Sequence, residues 1–216
     1  MQLNENIAEL MGILTGDGFI NYYSKNRAYV IDISGNKAKD FDYHKNFIGL
    51  LVEELFNFKP KIYFVNNQKA IRTRICSKDI FNSVKEYGFP IGRKEEISIP
   101  SWITNNKLFF RRFIRGVFDT DGCLCLKQKE GKKYPVISIS SKSKSLLILI
   151  KSFLECCKIS SYLDKYDSKI EMRTYKKDWN VYKLQINGKK NISLFFDIIG
   201  SKNQRNLIKY QEFLNL

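Results

Sequence analysis

Leu10-Met11-Gly12-Ile13-Leu14-Thr15-Gly16-Asp17-Gly18 and Ile114-Arg115-Gly116-Val117-Phe118-Asp119-Thr120-Asp121-Gly122 are two copies of one short pattern. Each is an apolar segment that ends in an acid followed by glycine. Small residues stand four apart in each, Gly12 and Gly16 in the first, Gly116 and Thr120 in the second. Residues four apart lie one above the other on a helix face. Small side chains there let two helix backbones come unusually close, a steric argument best known from membrane helices and equally valid in water. Gly18 and Gly122 are expected to stop the two helices by taking the left-handed conformation common after a helix end.

Packed on each other through these faces, the helices would bring one carboxylate from each half, Asp17 and Asp121, to a pseudo-twofold axis. The carbonyls of the last turn, at Gly16 and Thr120, lack intrahelical partners. Two carboxylates with exposed carbonyl oxygens are hard donors suited to Mg2+. Without a cation the two acids would repel each other strongly, so the pair should demand a divalent metal. An acid–glycine pair after an apolar helix is by itself what a solvated helix end looks like. Two copies in register, each followed by the same downstream pattern, are not accounted for in that way.

Bulk properties agree with a polyanion partner. The 216 residues carry 37 Lys and Arg against 22 Asp and Glu, a formal charge of +15. The excess is spread along both halves, which suits a broad nucleic-acid surface whose affinity falls steeply with salt. No apolar run is long enough to span a bilayer. Met1 to Glu9 hold acids and no basic cluster, so no signal peptide is expected. The five cysteines, Cys76, Cys123, Cys125, Cys156 and Cys157, have neither framework nor zinc-finger spacing. His44 is the lone histidine. Reduced thiols in an intracellular protein are expected.

The chain between and after the motifs repeats one order. Strands are expected at 19–25 and 28–35, joined near Lys25-Asn26-Arg27. An amphipathic helix follows over 38–57, with Phe41, Ile48, Leu51, Val52 and Leu55 on one side. Strands at 60–66 and 69–76, a helix from Lys78 to about Tyr87 and a loop through Gly92-Arg93-Lys94 complete the half. Pro100 precedes the second motif helix. Beyond it, strands fit 122–129 and 134–141, a helix 143–157, strands 161–175 and 179–187, and helices 189–198 and 203–214. The polar stretch 164–178 suggests a longer second hairpin. The architecture so read is α+β. Two pseudo-symmetric αββαββα subdomains, 1–100 and 101–216, pack their motif helices at a shared interface.

Period-two alternation divides each sheet into two faces. Tyr29, Ile31, Ile33, Ile62, Phe64, Ile71, Thr73 and Ile75 take the inner face of the first. Asn21, Tyr23, Lys25, Arg27, Asp32, Ser34, Lys61, Tyr63, Arg72 and Arg74 are left outward. In the second half Ile137, Ile139, Tyr182, Leu184 and Ile186 face inward. Cys125, Lys127, Lys129, Ser138, Ser140, Arg173, Lys183 and Gln185 face out. Any antiparallel sheet has a polar outer face. Here that face is made of base-edge and phosphate readers, twice over, and a β-ribbon fits the major groove.

The paired motifs resemble those of LAGLIDADG homing endonucleases, in the monomeric form with two motifs on one chain, over nearly the whole sequence. Thr15 replaces the usual acid at the sixth position of the first copy. Asp119 keeps it in the second, and the eighth position is Asp in both. The resemblance implies a Mg2+-dependent, site-specific double-strand DNA endonuclease, intracellular and either cytoplasmic or organellar, with two sheets forming a saddle along a long DNA site. It implies hydrolysis of one strand per half-site across the minor groove, leaving staggered 3' overhangs. Asp17 and Asp121 would be the catalytic acids and direct metal ligands, with the Gly16 and Thr120 carbonyls as further ligands. Mn2+ or Ca2+ would also occupy the site, Ca2+ without supporting turnover. Basic residues near each scissile phosphate would be Lys94 and Lys202. The glutamine that the family often places at the end of the second strand of each half is missing. Gly35 and Ser141 stand there, with Asn36 and Lys142 as the alternatives. Intron homing is the implied role. An intein role is disfavoured, since no splicing block flanks the motifs: residue 1 is Met and the chain ends Leu-Asn-Leu. Two other readings stay open, an RNA maturase that would take intron RNA as partner and a DNA-binding regulator that cuts nothing.

Overall fold

The computed structural model of the chain describes residues 2–66, 68–92, 96–168 and 179–215. The first half opens with α1 (Glu5–Asp17), started by Asn4, whose side chain accepts from the Ile7 amide at 2.9 Å. It passes directly into β1 (Gly18–Tyr23). A 3-10 turn over Ser24–Asn26, closed by Arg27 at φ 49, leads to β2 (Ala28–Asn36). Then come α2 (Phe41–Tyr43), a π-helical turn (His44–Ile48) and α3 (Gly49–Phe56), followed by β3 (Lys61–Phe64), β4 (Ala70–Ile75) and α4 (Lys78–Glu86). A short α5 (Ser101–Thr104) precedes α6 (Lys107–Asp121), which carries the second motif. After it the order recurs: β5 (Gly122–Lys129), β6 (Lys132–Ser141), α7 (Lys144–Cys156), β7 (Tyr162–Ser168), β8 (Trp179–Asn187), α8 (Lys189–Ile198) and α9 (Gln204–Leu214). The two four-stranded antiparallel sheets have the same strand order, β1-β2-β4-β3 and β5-β6-β8-β7. No helix among the described residues is long and apolar enough to cross a membrane.

The two motif helices are in backbone contact. A Cβ built on Gly12 would lie 2.1 Å from the Phe113 carbonyl oxygen, and one on Gly116 2.4 Å from the Glu9 carbonyl oxygen. One on Gly16 would meet Thr120 Oγ1 at 2.0 Å. The small residues stand where the sequence puts them, each facing the other helix. Gly18 and Gly122 serve differently from expectation. Both are extended (φ −86, ψ 153 and φ −103, ψ 165), not left-handed. The strand leaves each helix by folding straight back on its last turn. A Cβ would strike Leu14 Cα at 2.4 Å or the Phe118 ring at 2.4 Å. Glycine is needed there for room.

A buried ion pair breaks the symmetry of this interface. Arg115 of α6 donates through Nε to Glu9 Oε1 at 2.6 Å and through Nη2 to Glu9 Oε2. Both side chains are buried. Arg112 extends the pair outward, donating to Glu5 Oε2 at 2.8 Å. The positions matching Glu9 and Arg115 in the other helix are Phe113 and Met11, so each helix specifies the other and not a copy of itself.

Most expected elements are found, with three differences. The helix after β2 starts at Phe41, because Asn36 caps a turn: its Oδ1 accepts from the Ala38 and Lys39 amides. Phe41 therefore sits at the exposed start of the helix, against Phe64 at 5.6 Å between centroids. Lys25 and Arg27 belong to the turn beyond β1, outside the strand alternation. Helix α5 was not foreseen; Pro100 starts it. The polar end of the second hairpin, residues 169–178, lies outside the described residues.

Gly12→Ala should destabilise the fold by about 1–3 kcal/mol or more, because backbone and not a flexible side chain must yield. Gly49→Ala, where the new methyl would meet the tip of Ile62 at 3.1 Å and the His44 carbonyl at 3.3 Å, should change stability by about 1 kcal/mol or less. Denaturant midpoints decide. Glu9→Gln should cost about 3–5 kcal/mol by leaving Arg115 unpaired. A joint replacement of both residues by methionine should be roughly neutral.

Candidate metal centre and nucleic-acid interface

Asp17 and Asp121 are the last residues of α1 and α6. The close packing carries the second acid to the last turn of the first helix: a Cβ on Gly16 would lie 3.4 Å from Asp121 Cγ. The carboxyl group of the second motif thus lies against the last turn of the first. A cavity of about 330 Å³ opens beside this point, lined by Thr15, Gly16, Asp121, Ser140, Ser141 and Lys142 among others. Among the described residues no group of three or more His, Cys, Asp or Glu side chains could hold a metal. Two carboxylates, carbonyl oxygens and room for water or phosphate are the donor set that Mg2+ ordinarily takes, so the residues present fit such an ion.

The carbonyls at the end of the second motif are already engaged. Arg205, in the first turn of α9, donates from Nη2 to the carbonyls of Asp119 at 3.0 Å, Thr120 at 2.8 Å and Gly122 at 3.1 Å. A guanidinium there satisfies the orphan carbonyls of α6 and offsets the negative end of its dipole. The Thr120 carbonyl, expected as a metal ligand, has only its second lone pair left. Arg205 Nη1 also pairs with Asp40 Oδ1 at 3.2 Å, and Asn203 Nδ2 bridges Asp40 Oδ1 and the Asp119 carbonyl at 2.9 and 3.0 Å. The second-motif acid Asp119 is fully buried. It accepts from the Ser201 hydroxyl and, at 2.7 Å, from the Lys202 amide. Burial raises its carboxyl to about 7 against the pull of those two hydrogen bonds. Asp119 is therefore a latch for residues 201–203. Lys202 is anchored through its backbone amide to Asp119, two residues before Asp121 in the chain, with its ammonium 6.0 Å from the Phe47 ring centroid. Sequence reasoning singled out Lys202 in this segment and missed Ser201, Asn203, Arg205 and Asp40; the Ser-x-Asn-x-Arg run after Gly200 was the available signal.

At the end of β2 the two halves differ. A side chain at Gly35 would collide with His44 Nε2 at 2.4 Å, and Asn36 spends its side chain on the turn. Gly35 has no side chain to offer, and the Oδ1 of Asn36 is engaged in the turn. Ser141 and Lys142 line the cavity in the second. His44 is buried, with Nδ1 2.8 Å from Thr73 Oγ1, and burial lowers its pKa to about 4. Lys94 lies outside the described residues.

The sheet faces are as the alternation implies. Asn21, Tyr23, Asp32, Ser34, Lys61, Tyr63, Arg72 and Arg74 share the face of the first sheet opposite Ile20, Ile31, Ile33 and Thr73. Cys125, Lys127, Ser138, Ser140, Lys183 and Gln185 share the corresponding face of the second. Cys123 joins them, its sulfur 3.5 Å from that of Cys125, and all five cysteines are free. Arg173 and the side chain of Lys129 lie outside the described residues. Asp32 faces outward yet is buried, because Arg74 and Arg72 cover it.

Comparison with known proteins agrees with this geometry. Residues 109–200 match the family described as LAGLIDADG-like domain. An uncharacterized protein of Methanocaldococcus jannaschii is 27% identical over 159 residues, 70% of this chain and 54% of that protein. The tRNA-splicing ligase RtcB of Pyrococcus furiosus is 23% identical over 213 residues, 94% of this chain and 20% of that protein. The chain thus spans about half the length of the first and a fifth of the second. Structures of the homing endonuclease I-DmoI superpose with a TM-score of 0.63 at 22% identity, over 91% of this chain and 95% of that one. I-DmoI has been solved with DNA and Ca and with DNA and Mn. The LAGLIDADG homing endonuclease I-LtrWI, bound to target DNA, superposes with a TM-score of 0.61 at 13% identity, over 98% and 89% of the two chains. At such identities the likeness is one of fold.

The buried imidazole gives a pH signature. With a pKa of about 4 in the folded chain and 6.5 unfolded, the folded state binds fewer protons between those values. The contribution of His44 is complete above pH 6.5 and is lost as pH falls toward 4, by about 3 kcal/mol at about 1.4 kcal/mol per unit. Urea midpoints across this range should drop for the native chain. They should drop less for His44→Gln.

Proposed function

Starting from a chain that carries a LAGLIDADG-like domain over residues 109–200 and the two-motif LAGLIDADG fold throughout, we propose that it is a site-specific double-strand DNA homing endonuclease. The observation that carries this reading is the backbone contact of α1 and α6, whose last residues are Asp17 and Asp121 and whose ends lead directly into two sheets with basic outer faces. The chain divides into subdomains 1–100 and 101–216, each addressing one half-site, and acts as a monomer in intron homing.

Asp17 and Asp121 would hold divalent cations, Mg2+ in function, with the Gly16 and Thr120 carbonyls as further ligands. Ca2+ binds in their place without supporting turnover. Bound there, the cations supply an activated water and neutralise the charge that develops on the scissile phosphate and the leaving oxygen. The chain's own part is positional. The α1–α6 contact sets the separation of the carboxylates, and Arg205 fixes the carbonyls around Asp121. Asp119 holds Lys202 near one scissile phosphate, and Lys94 serves the other half. The outer faces grip the DNA, with affinity that falls steeply with salt because phosphate contacts release counterions. Each half cuts one strand across the minor groove, leaving staggered 3' overhangs. DNA complexes of proteins with this fold support the reading.

Incubation of a randomised or host-gene DNA library with the chain and Mg2+ tests it. Specific double-strand cuts should appear with the native chain. Asp17→Asn and Asp121→Asn should each abolish them while leaving DNA binding intact. Tight, salt-sensitive binding with no cutting by the native chain would replace this reading with that of a regulator or a maturase.

A further inference from the structure

We infer that Arg74 reads a guanine and that Asp32 is the positioning residue that aims it; this rests on the DNA-binding reading above. Asp32, in the middle of β2, pairs directly with Arg74 of β4 across the sheet. Arg74 donates from Nε to Asp32 Oδ1 and from Nη2 to Asp32 Oδ2, both at 2.7 Å. Arg72 approaches the same carboxylate, with Nη1 3.7 Å from Oδ2. The carboxylate is covered while each arginine keeps about a third of its side chain exposed.

A guanidinium carries five N–H donors in one rigid plane. The side-on grip on Asp32 uses the Nε proton and one Nη2 proton. The other edge, two protons on Nη1 and one on Nη2, is turned away from Asp32. Guanine offers O6 and N7 in the major groove, and two parallel N–H groups of an arginine match that pair. Asp32 has already removed the rotamer freedom that a lone arginine would lose on binding. The Tyr63 ring, 5.7 Å from Arg74 Cζ, further confines the side chain.

Two simpler roles fit less well. As a phosphate anchor, Arg74 would be weakened by the negative charge beside it, since phosphate contacts act through net charge. A geometric reader keeps its donors. As a direct reader of cytosine N4, Asp32 would need a carboxylate open to the DNA, and it is covered by Arg74 and Arg72.

Selection of bound sites from randomised double-stranded DNA in Ca2+ tests the inference, using the full native chain and the variants Asp32→Asn, Asp32→Glu, Arg74→Ala and Arg74→Lys, with thermal melting to confirm folding. The native chain should enrich a guanine at one position where Arg74→Ala shows none. Asp32→Asn should lower the preference there by about ten- to a hundredfold, the usual worth of a bidentate base contact, and leave other positions unchanged. Asp32→Glu, which keeps the charge but moves the fork by one methylene, should relax the same position, as should Arg74→Lys. A uniform loss of affinity in Arg74→Ala with no change in base preference would make the residue a phosphate contact and overturn the inference. So would an unchanged preference in both folded Asp32 variants. If the native chain selects no site at all, the DNA-cutting reading fails and this inference falls with it.

Discussion

Backbone contact between α1 and α6 governs where everything else can stand. Gly12 and Gly116 each leave less than a methyl's width against the other helix, at 2.1 and 2.4 Å for the missing Cβ. At ordinary side-chain separation helix axes lie 8–10 Å apart, and the two helix ends would move apart with them. The separation of Asp17 and Asp121 is thus set by four small residues, two per helix, and not by the acids. Gly18 and Gly122 depend on the same economy of space. By letting each strand fold back on its helix, they hang both sheets directly from the motif ends.

The interface is close to symmetric in shape and asymmetric in chemistry. Glu9 and Arg115 bury one ion pair where exact duplication would place apolar residues. The asymmetry continues at the helix ends. The second motif keeps an acid at Asp119, which gathers Ser201 and Lys202, while Arg205 covers the carbonyls of Asp119, Thr120 and Gly122. The first motif has Thr15 instead. The cavity follows the same division, with Ser141 and Lys142 lining it while Gly35 and Asn36 are turned to His44 and a turn. The two halves therefore surround the ends of the motif helices with different neighbours.

Local features of the sequence were the legible ones. Small residues at helical spacing announced the helix contact, and period-two alternation assigned the inner and outer residues of both sheets. The duplication marked Asp17 and Asp121 as the residues that end the two motif helices. The unread features are pairings between distant positions. Asp119 with Ser201, Arg205 with three carbonyls, Asn203 with Asp40 and Arg115 with Glu9 leave no periodic trace. Asp32 shows the limit most clearly. Its place on the outer face was readable from alternation, but its burial under Arg74 depends on a neighbouring strand forty-two residues away in the chain. The extended glycines after each motif were misread because acid–glycine suggests a left-handed cap, and only the packed structure shows that space is the constraint.

Anomalous scattering from Mn2+ in crystals of the chain addresses the centre of this picture most directly. A manganese peak within bonding distance of a carboxylate oxygen of both Asp17 and Asp121, lost in crystals of Asp17→Asn, should be seen if the helix contact exists to build a shared cation site. Ordered motif helices with both carboxylates resolved and no manganese between them would contradict it.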